Sequence, residues 1–256
     1  VVLNGSLKIE ETRAVQGISA KLNTIAKIRG EYVVASKYDF WFLNADLSPK
    51  FHAAMDPWFS ANVLDLVGIT ALDKDAYVLM GSNKSLLRVR QNPEADDVQG
   101  WPNFTAGRSH IEAVGGLGRA RIDTERAKFS YIHSSATDGR YVFMATVPDN
   151  KNKKQFVISK ALMKDWMLSG EFVPTAEMLK KDRSLGELYV TGMVYEDGKL
   201  YAVSKNWNVL VVIDVAQEAV VEAWGLPEEL TDIRGLVKDG STFEVIDANR
   251  VVKLTM

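Results

Sequence analysis

The chain has 256 residues, of which 46% are hydrophobic and 25% are charged, and its net charge at pH 7 is −2. This composition is typical of a globular protein with a large core and excludes a disordered or fibrous chain. No run of apolar residues is long enough for a membrane span, and the balanced charge offers no broad basic surface for a nucleic-acid backbone. We therefore expect neither membrane insertion within this sequence nor nucleic-acid binding.

The sequence contains no cysteine and begins with Val1 rather than methionine. The lack of cysteine excludes disulfides, thiolate metal sites and cysteine nucleophiles, and an oxidising compartment tolerates it well. A removed signal peptide, an upstream membrane anchor or a cloning boundary would each explain the first residue. From these two features we expect a periplasmic or otherwise extracytoplasmic location.

Predicted strands recur along the chain in five copies. Each copy has a tight turn built from Gly, Asp or Lys, then an aromatic residue within a β-branched run suited to a buried strand. The aromatic anchors of the copies are Tyr32, Tyr77, Tyr141, Tyr201 and Phe243. A further apolar run follows in every copy, for example VLVVIDV at 209–215, so that each copy contains at least a three-stranded meander.

The spacing of the copies predicts a propeller. The anchors lie 45, 64, 60 and 42 residues apart, which matches blades of roughly 40–50 residues with two insertions of about 20. The last copy stops after its third strand, and GSLKIEETRAV near the amino terminus alternates like a strand. Pairing this segment with the last copy closes the ring and removes free sheet edges. We predict an all-β fold, a single five-bladed β-propeller closed by the N-terminal strand.

The whole chain is predicted to be one domain, because no linker composition interrupts the repeats. In chain order the predicted segments are a closing strand at 5–14, blades at 15–58, 59–105, 125–175, 186–226 and 227–256, and insertions at 101–125 and 172–186. A β-sandwich or another number of blades is the alternative.

Basic residues recur in the loops between the second and third strands, which we expect to share one end of the channel with the starts of the first strands. The cations are Lys37, Lys84, Lys151 with Lys153 and Lys154, Lys205, and Arg250. Tyr38, Asn206 and Trp207 stand beside them, and Trp207 is expected to be exposed. The ring predicts a basic binding face with aromatic anchors, although any single lysine is also explained as a solvated turn residue.

The starts of the first strands predict residues that line the channel. Four of them carry a glycine where backbones crowd around a narrow axis, at Gly17, Gly68, Gly192 and Gly235. His133 stands near that position in the remaining copy and is either a functional side chain or a satisfied core imidazole. The side chains expected close to it are Asp65, Thr191, Asp232 and Arg234.

A long insertion, Trp101 to Phe129, is the second candidate surface, because long connections in compact domains are often functional. It carries His110 and Glu112, which we include among the binding candidates. Its GGLG run lacks the residues of a phosphate-binding motif, and sharp turns in a covering loop explain its glycines equally well.

Catalytic motifs are scarce. The sequence has no HExxH, no GxSxG and no EF-hand loop, and its three isolated histidines lack metal-ligand spacing, so we expect no metal and no cofactor. Propeller glycosidases need paired carboxylates in the funnel, and only Asp65 and Asp232 are available for that role. If the chain is an enzyme, its catalytic candidates are His133, Arg234, Asp65 and Asp232.

One part of the chain resembles a known family. The runs HIEAVGGLGRARID, FSYIHSSATDGRYVFMATVP, KKQFVISK and RSLGELYVTGMVYEDGKLYAVSKNWNVLVVID, within 110–215, are similar to the propeller domain of bacterial DsbI-type disulfide-bond formation membrane proteins. The resemblance implies a periplasmic domain tethered to a thiol-oxidising membrane portion. This chain has no cysteine with which to perform that redox chemistry itself.

Two functions from different classes follow. The first is a non-catalytic extracytoplasmic recognition or scaffold propeller that binds a partner protein or an anionic ligand. Its binding candidates are Lys37, Tyr38, Lys84, His110, Glu112, Lys205, Asn206, Trp207, Arg234 and Arg250. The second is a hydrolase or lyase at the funnel mouth, with His133 as base and Arg234 or Lys205 stabilising a developing anion. The absence of catalytic motifs favours the first.

Overall fold

The structure, a computed structural model, describes residues 3–28, 30–37, 39–54, 65–71, 76–91, 109–113, 120–121, 129–148, 155–176 and 187–256. The strands are β1 (Gly5–Ser6), β2 (Lys8–Ala14), β3 (Thr24–Ile28), β4 (Glu31–Ala35), β5 (Asp39–Leu43), β6 (Pro49–Ala54), β7 (Leu66–Ala71), β8 (Ala76–Gly81), β9 (Ser85–Gln91), β10 (Ser109–Ala113), β11 (Ala120–Arg121), β12 (Phe129–Thr137), β13 (Tyr141–Pro148), β14 (Ile158–Leu162), β15 (Leu168–Phe172), β16 (Val190–Glu196), β17 (Lys199–Ser204), β18 (Val209–Asp214), β19 (Ala219–Gly225), β20 (Ile233–Asp239), β21 (Thr242–Asp247) and β22 (Arg250–Thr255). In the part of the chain described, no helix is long and apolar enough to cross a membrane.

These strands form five sheets, which we number 1 to 5 by the chain order of their innermost strands. Sheet 1 has the order β3-β4-β5-β6, sheet 2 has β7-β8-β9-β10 with β11 also on β9, and sheet 3 has β12-β13-β14-β15. Sheet 4 has β16-β17-β18-β19-β1, and sheet 5 has β20-β21-β22-β2. Neighbouring strands are antiparallel except β1, which runs parallel to β19.

The innermost strands of the five sheets form a closed circle. Each of β3, β7, β12 and β16 contacts the innermost strand of the next sheet, and β20 contacts β3 again. The sheets therefore radiate from a central channel, which is the arrangement of an all-β propeller.

The N-terminal segment ties two sheets together. β2 pairs with β22 from Lys8 opposite Thr255 to Ala14 opposite Arg250, which confirms the predicted pairing between the two ends of the chain. Just before it, β1 lies along the outer edge of sheet 4, and Leu7 between the two strands is only 3% exposed. The same short segment thus covers one sheet edge and completes the next sheet.

Apolar clusters fill the spaces between neighbouring sheets. Phe143 of sheet 3 packs in one cluster with Leu200 of sheet 4, and Leu210 of sheet 4 shares another with Phe243 of sheet 5. Burial of both faces explains why the central strands have continuous β-branched and aromatic runs. The core is therefore distributed around the ring.

The positions of two strands differ from the sequence expectations. The innermost strand of sheet 1 begins at Thr24, whereas Gly17 lies in a turn between β2 and β3 with φ of 65° and its Cα faces Pro49. The outer strand of sheet 2 is Ser109–Ala113, beyond the predicted end of that blade at residue 105. The long insertion thus supplies an edge strand, because a sheet edge offers unpaired backbone groups to the next extended segment.

Candidate functional site

A cavity of about 480 Å³ opens at the end of the channel where the innermost strands begin. Its lining is polar and includes both acidic and basic side chains. The lining residues are Asn23, Asp65, Val67, Ser82, Tyr131, His133, Tyr189, Thr191, Lys205, Asp232, Ile233 and Arg234.

A repeated three-residue unit builds this lining. At the start of each innermost strand one apolar residue is buried, and the residues on either side of it face the channel, since side chains two apart share one face of a strand. The buried residues are Leu22, Leu66, Ile132, Val190 and Ile233. The flanking residues that line the cavity are Asn23, Asp65 with Val67, Tyr131 with His133, Tyr189 with Thr191, and Asp232 with Arg234. Lys21, on the other side of Leu22, does not line the cavity itself but forms an ion pair with Asp232.

In three of these pairs, a shift in the pairing between strands occurs at the second residue. The pairing of β7, β12 and β16 with the neighbouring strand shifts at Val67, His133 and Thr191 respectively. A bulge adds a residue to one strand and turns its side chain, and bulges are common near functional sites. The same irregularity therefore aims three different side chains into one cavity.

Glycine allows the strands to meet below the cavity. A Cβ atom at Gly192 would collide with the carbonyl oxygen of Gly235, and one at Gly235 would collide with the backbone nitrogen of Ile25. A Cβ at Gly68 would collide with the Ser135 hydroxyl. The expectation of crowded backbones is thus confirmed at Gly192 and Gly235, whereas Gly68 is crowded by a side chain and the expectation is wrong for Gly17.

Arg234 is held by two neighbours. Its Nε donates to Asp232 Oδ1 at 3.1 Å, and its Nη1 donates to Asn23 Oδ1 at 3.0 Å. Asp232 also accepts from Lys21 at 2.9 Å and from Lys205 at 3.4 Å. Partial burial opposes ionisation of Asp232, but the hydrogen bonds and charges of Lys21 and Arg234 lower its pKa to about 2. This carboxylate is ionised and saturated with cations at neutral pH.

His133 and Tyr189 form a hydrogen-bonded pair. The Tyr189 hydroxyl lies 2.7 Å from Nδ1 and 2.8 Å from Nε2 of the imidazole, and the rings meet edge to face. Burial, together with the positive charge of Arg234, lowers the pKa of His133 to about 4, although Asp65 acts in the opposite direction. Burial raises the pKa of Tyr189. Both side chains are therefore neutral at physiological pH.

Three groups at the cavity have unused hydrogen-bonding capacity. Thr191 is 8% exposed, and its Oγ1 is buried without a hydrogen-bond partner. Within the described residues, no hydrogen bond or ion pair reaches the Asp65 carboxylate, and none involves Nη2 of Arg234. The Asp65 carboxylate and Nη2 of Arg234 belong to partly exposed side chains that line the cavity, so these two groups are suited to a ligand.

The structure brings together six of the residues that the sequence placed at the channel mouth: Asp65, His133, Thr191, Lys205, Asp232 and Arg234. Lys37, Lys84, Asn206, Trp207 and Arg250 do not line the cavity. Tyr38 and the lysines at 151, 153 and 154 fall outside the described residues, and His110 and Glu112 lie on β10 at the outer edge of sheet 2. A complete ring of cations around the mouth is therefore absent from the described cavity lining.

Two of the residues that do not line the cavity, Arg250 and Asn206, have bonding partners elsewhere. Arg250 forms an ion pair with the buried Asp247 beside it in the loop. The side-chain amide of Asn206 donates to the carbonyl of Glu187 at 2.8 Å and accepts from the backbone nitrogen of Tyr189 at 3.1 Å. Asn206 thus fixes the start of β16, and with it Tyr189, from outside the cavity.

The expectation of an exposed Trp207 indole is wrong. Trp207 is partly buried and packs against the apolar cluster between sheets 3 and 4. The loop that carries it folds back over this cluster, because removing an aromatic ring from water is strongly favourable.

Six lining residues were not among the sequence candidates: Asn23, Val67, Ser82, Tyr131, Tyr189 and Ile233. A usable signal was present in the runs DLVG, YIHS, YVTG and DIRG, in which a buried apolar residue stands between two channel-facing ones. Within the described residues no cluster of three or more His, Asp or Glu side chains is arranged to hold a metal ion.

No protein-family model and no curated protein sequence matches this chain, so neither comparison supports the resemblance to the DsbI-type proteins. Solved structures do match it. The crystal structure of Myxococcus xanthus glutaminyl cyclase aligns with a TM-score of 0.65 at 10% identity, over 97% of this chain and 95% of that one. A PQQ-bound aldose sugar dehydrogenase from Streptomyces coelicolor aligns with a TM-score of 0.53 at 13% identity, over 98% of both chains. At such identities these likenesses show the β-propeller fold alone.

Proposed function

We propose that the five sheets are the blades of a five-bladed propeller whose channel-mouth cavity recognises a small anionic ligand without catalysing a reaction. A volume of about 480 Å³ suits a small molecule, since ligand cavities generally span roughly 300–1,000 Å³. The lining offers a few convergent polar groups on rigid strand ends, which is the usual construction of a specific binding site.

The fixed orientation of the Arg234 guanidinium is the main observation that supports this proposal. Two of its nitrogens are held by Asp232 and Asn23, so the guanidinium is fixed in orientation while Nη2 remains available to the cavity. A fixed guanidinium binds carboxylate or phosphate with little loss of side-chain entropy. Lys205, which is about half exposed, adds a second positive charge at the rim.

A protein partner is a weaker candidate than a small ligand. Interface hot spots are typically exposed aromatic or arginine anchors, and Trp207 is occupied with core packing. Tyr131, which is 49% exposed, is an available aromatic ring, and it faces the concave cavity. A concave site with its aromatic group inside favours a small molecule.

Catalysis is the second candidate, because the Tyr189–His133 pair is an acid–base couple within the cavity. Glutaminyl cyclase and aldose sugar dehydrogenase, whose structures align with this chain, are enzymes, although the likeness extends only to the fold. A pKa of about 4 makes the His133 imidazole a weak base at neutral pH. The hydrolase or lyase hypothesis therefore needs a ligand that raises this pKa on binding.

We further propose an extracytoplasmic location, supported by the absence of cysteine from the whole sequence. The attachment to a disulfide-forming membrane portion rests on the sequence resemblance alone and remains a hypothesis. Fractionation of cells that express the native gene would test both, since recovery of the full-length product in the cytoplasm contradicts the location.

Binding of simple anions tests the proposed function. Titration of the protein with butanoate, succinate, citrate and phosphate, followed by NMR chemical shifts, should show at least one anion at the cavity. Arg234→Gln should weaken that binding by about tenfold or more, the value of one charge-assisted hydrogen bond. Lys199→Gln, which removes a surface cation from β17, is the matched control and should have no effect. If no anion binds, or if Arg234→Gln binds equally well, the proposal is wrong.

A further inference from the structure

We propose that the ligand of this cavity is a small zwitterion, whose anionic group meets Arg234 and whose protonated amine meets Asp65. This inference rests on the proposed function and adds a second recognition group to it. It follows from the different states of the two carboxylates that line the cavity.

Asp232 is already neutralised by protein groups. It accepts from Arg234, Lys21 and Lys205, so its negative charge is already compensated without a cationic ligand. Its effect is to fix Arg234 and to leave one guanidinium nitrogen available. This side of the cavity therefore presents a positive pole.

Asp65 is in the opposite state. No hydrogen bond or ion pair to its carboxylate exists within the described residues, although it lines the same cavity. Its backbone is fixed, because its carbonyl accepts from the Ser82 nitrogen at 2.9 Å and its φ is 30°. A positive φ is uncommon for a residue other than glycine, although aspartate tolerates it better than most. Asp65 thus presents a negative pole at the cavity, and no cation of the described residues pairs with it.

The ring keeps these two poles apart. Asp65 precedes β7 of sheet 2 and Arg234 lies on β20 of sheet 5, with β3 of sheet 1 between them around the channel. Arg234 instead bonds to Asn23, which precedes β3. The two charges therefore face the cavity without neutralising one another.

A ligand with only a negative charge would meet Arg234 favourably but would also be repelled by the uncompensated Asp65 carboxylate. A ligand with both charges satisfies the two poles at once. The half-exposed Tyr131 ring lies along the wall between them, where it can contact the body of the ligand. Complementarity of this kind selects a partner more sharply than one charge alone.

A matched set of probes tests the inference. The zwitterions 4-aminobutanoate and 6-aminohexanoate cover two charge separations, while butanoate carries only the acid and butylamine only the amine. Isothermal titration should show that the better zwitterion binds the wild-type protein about tenfold more tightly than butanoate or butylamine, as expected for one added charge-assisted contact.

Variants separate this inference from the proposed function. Asp65→Asn keeps the shape of the side chain and tolerates the positive φ. It should reduce zwitterion affinity to that of butanoate and leave butanoate binding equal or tighter. Glu218→Gln, on the surface before β19, is the control for loss of a carboxylate. Circular dichroism melts should verify that each variant is folded.

Each outcome is decisive. If butanoate binds through Arg234 but neither zwitterion binds more tightly, the zwitterion proposal is wrong and the anion site remains. If zwitterion affinity survives in Asp65→Asn, the amine does not meet Asp65. If neither zwitterion binds, the zwitterion proposal is overturned, and if butanoate, succinate, citrate and phosphate also fail to bind, the proposed anion site is overturned with it.

Discussion

The hydroxyl of Tyr189 lies 2.7 Å from Nδ1 of His133, and this contact joins the innermost strands of sheets 3 and 4 at the wall of the cavity. The imidazole is enclosed on this side, with the Arg234 charge nearby. The histidine that the sequence singled out is therefore hydrogen-bonded to a tyrosine that the sequence did not single out, while burial and then the Arg234 charge lower its pKa and keep it neutral.

The first prediction concerns the titration of His133. Burial and then Arg234 lower its pKa to about 4, so Arg234→Gln should raise that pKa toward the ordinary value of about 6.5. NMR titration of the imidazole resonances in both proteins measures the change. An unchanged pKa in the variant would show that the arginine charge does not reach the ring.

The same shift links His133 to stability. Between about pH 6.5 and pH 4 the unfolded chain binds a proton at this residue and the folded chain does not, so stability should fall as the pH is lowered through this window. With solvent screening the loss is roughly 2 kcal/mol or less. His133→Gln should flatten this part of the stability profile in urea denaturation at several pH values, and an unaltered slope would contradict the assignment.

The second prediction concerns the closure of the ring. Arg13 on β2 donates to Glu244 on β21 at 2.8 Å, and the Tyr32 hydroxyl donates to the other oxygen of that carboxylate at 2.5 Å. Glu244 is only 5% exposed. Arg13→Met would leave a buried charge without its cation, and it should lower the free energy of unfolding by about 2–3 kcal/mol.

Chemical denaturation measures that loss, and a double variant identifies its cause. Adding Glu244→Gln to Arg13→Met should recover much of the stability, because no unpaired charge then remains. Lys50→Gln, which breaks an exposed pair with Glu31, should cost less than about 1 kcal/mol. Equal losses in Arg13→Met and Lys50→Gln would show that the buried cluster has no special role.

The third prediction follows from the packing of Trp207. Because this ring packs against the cluster between sheets 3 and 4, Trp207→Ala should lower the free energy of unfolding by about 2 kcal/mol or more. Tyr131→Ala removes a ring that is 49% exposed and should cost much less. If thermal melts show Trp207→Ala to be as stable as the wild type, the tryptophan is available for a surface contact after all.

Several features of the fold could be predicted because they depend on local periodicity. Asp197 and Gly198 have φ values of 47° and 79°, as the Asp-Gly turn in YEDGKLY suggested, since both central positions of this hairpin type need positive φ. The pairing of β2 with β22 followed from the incomplete last repeat. Such patterns reveal which segments are strands and how many strands each repeat lacks.

The site was harder to predict, because side-chain partners are set by contacts between sheets. Arg250 and Lys205 both look like free loop cations in the sequence, yet Asp247 and Asp232 pair with them in the folded chain. Trp207 likewise appears exposed in a polar loop, and only the packing of sheet 4 on sheet 3 buries it. Sequence spacing placed these residues near one end of the channel but could not assign their neighbours.

The last prediction tests the crowding of strands beneath the cavity. A Cβ atom at Gly192 would strike the carbonyl of Gly235, and backbone cannot move aside as the end of a flexible side chain can. Gly192→Ala should therefore lower the free energy of unfolding by about 3 kcal/mol or more. Gly170→Ala on the outer strand β15 meets nothing closer than a Lys160 side-chain carbon at 3.8 Å, so it should be neutral or stabilising by up to about 1 kcal/mol. Urea denaturation of both variants checks the difference. Equal stability of the two would mean that the innermost strands of sheets 4 and 5 approach less closely than this arrangement requires.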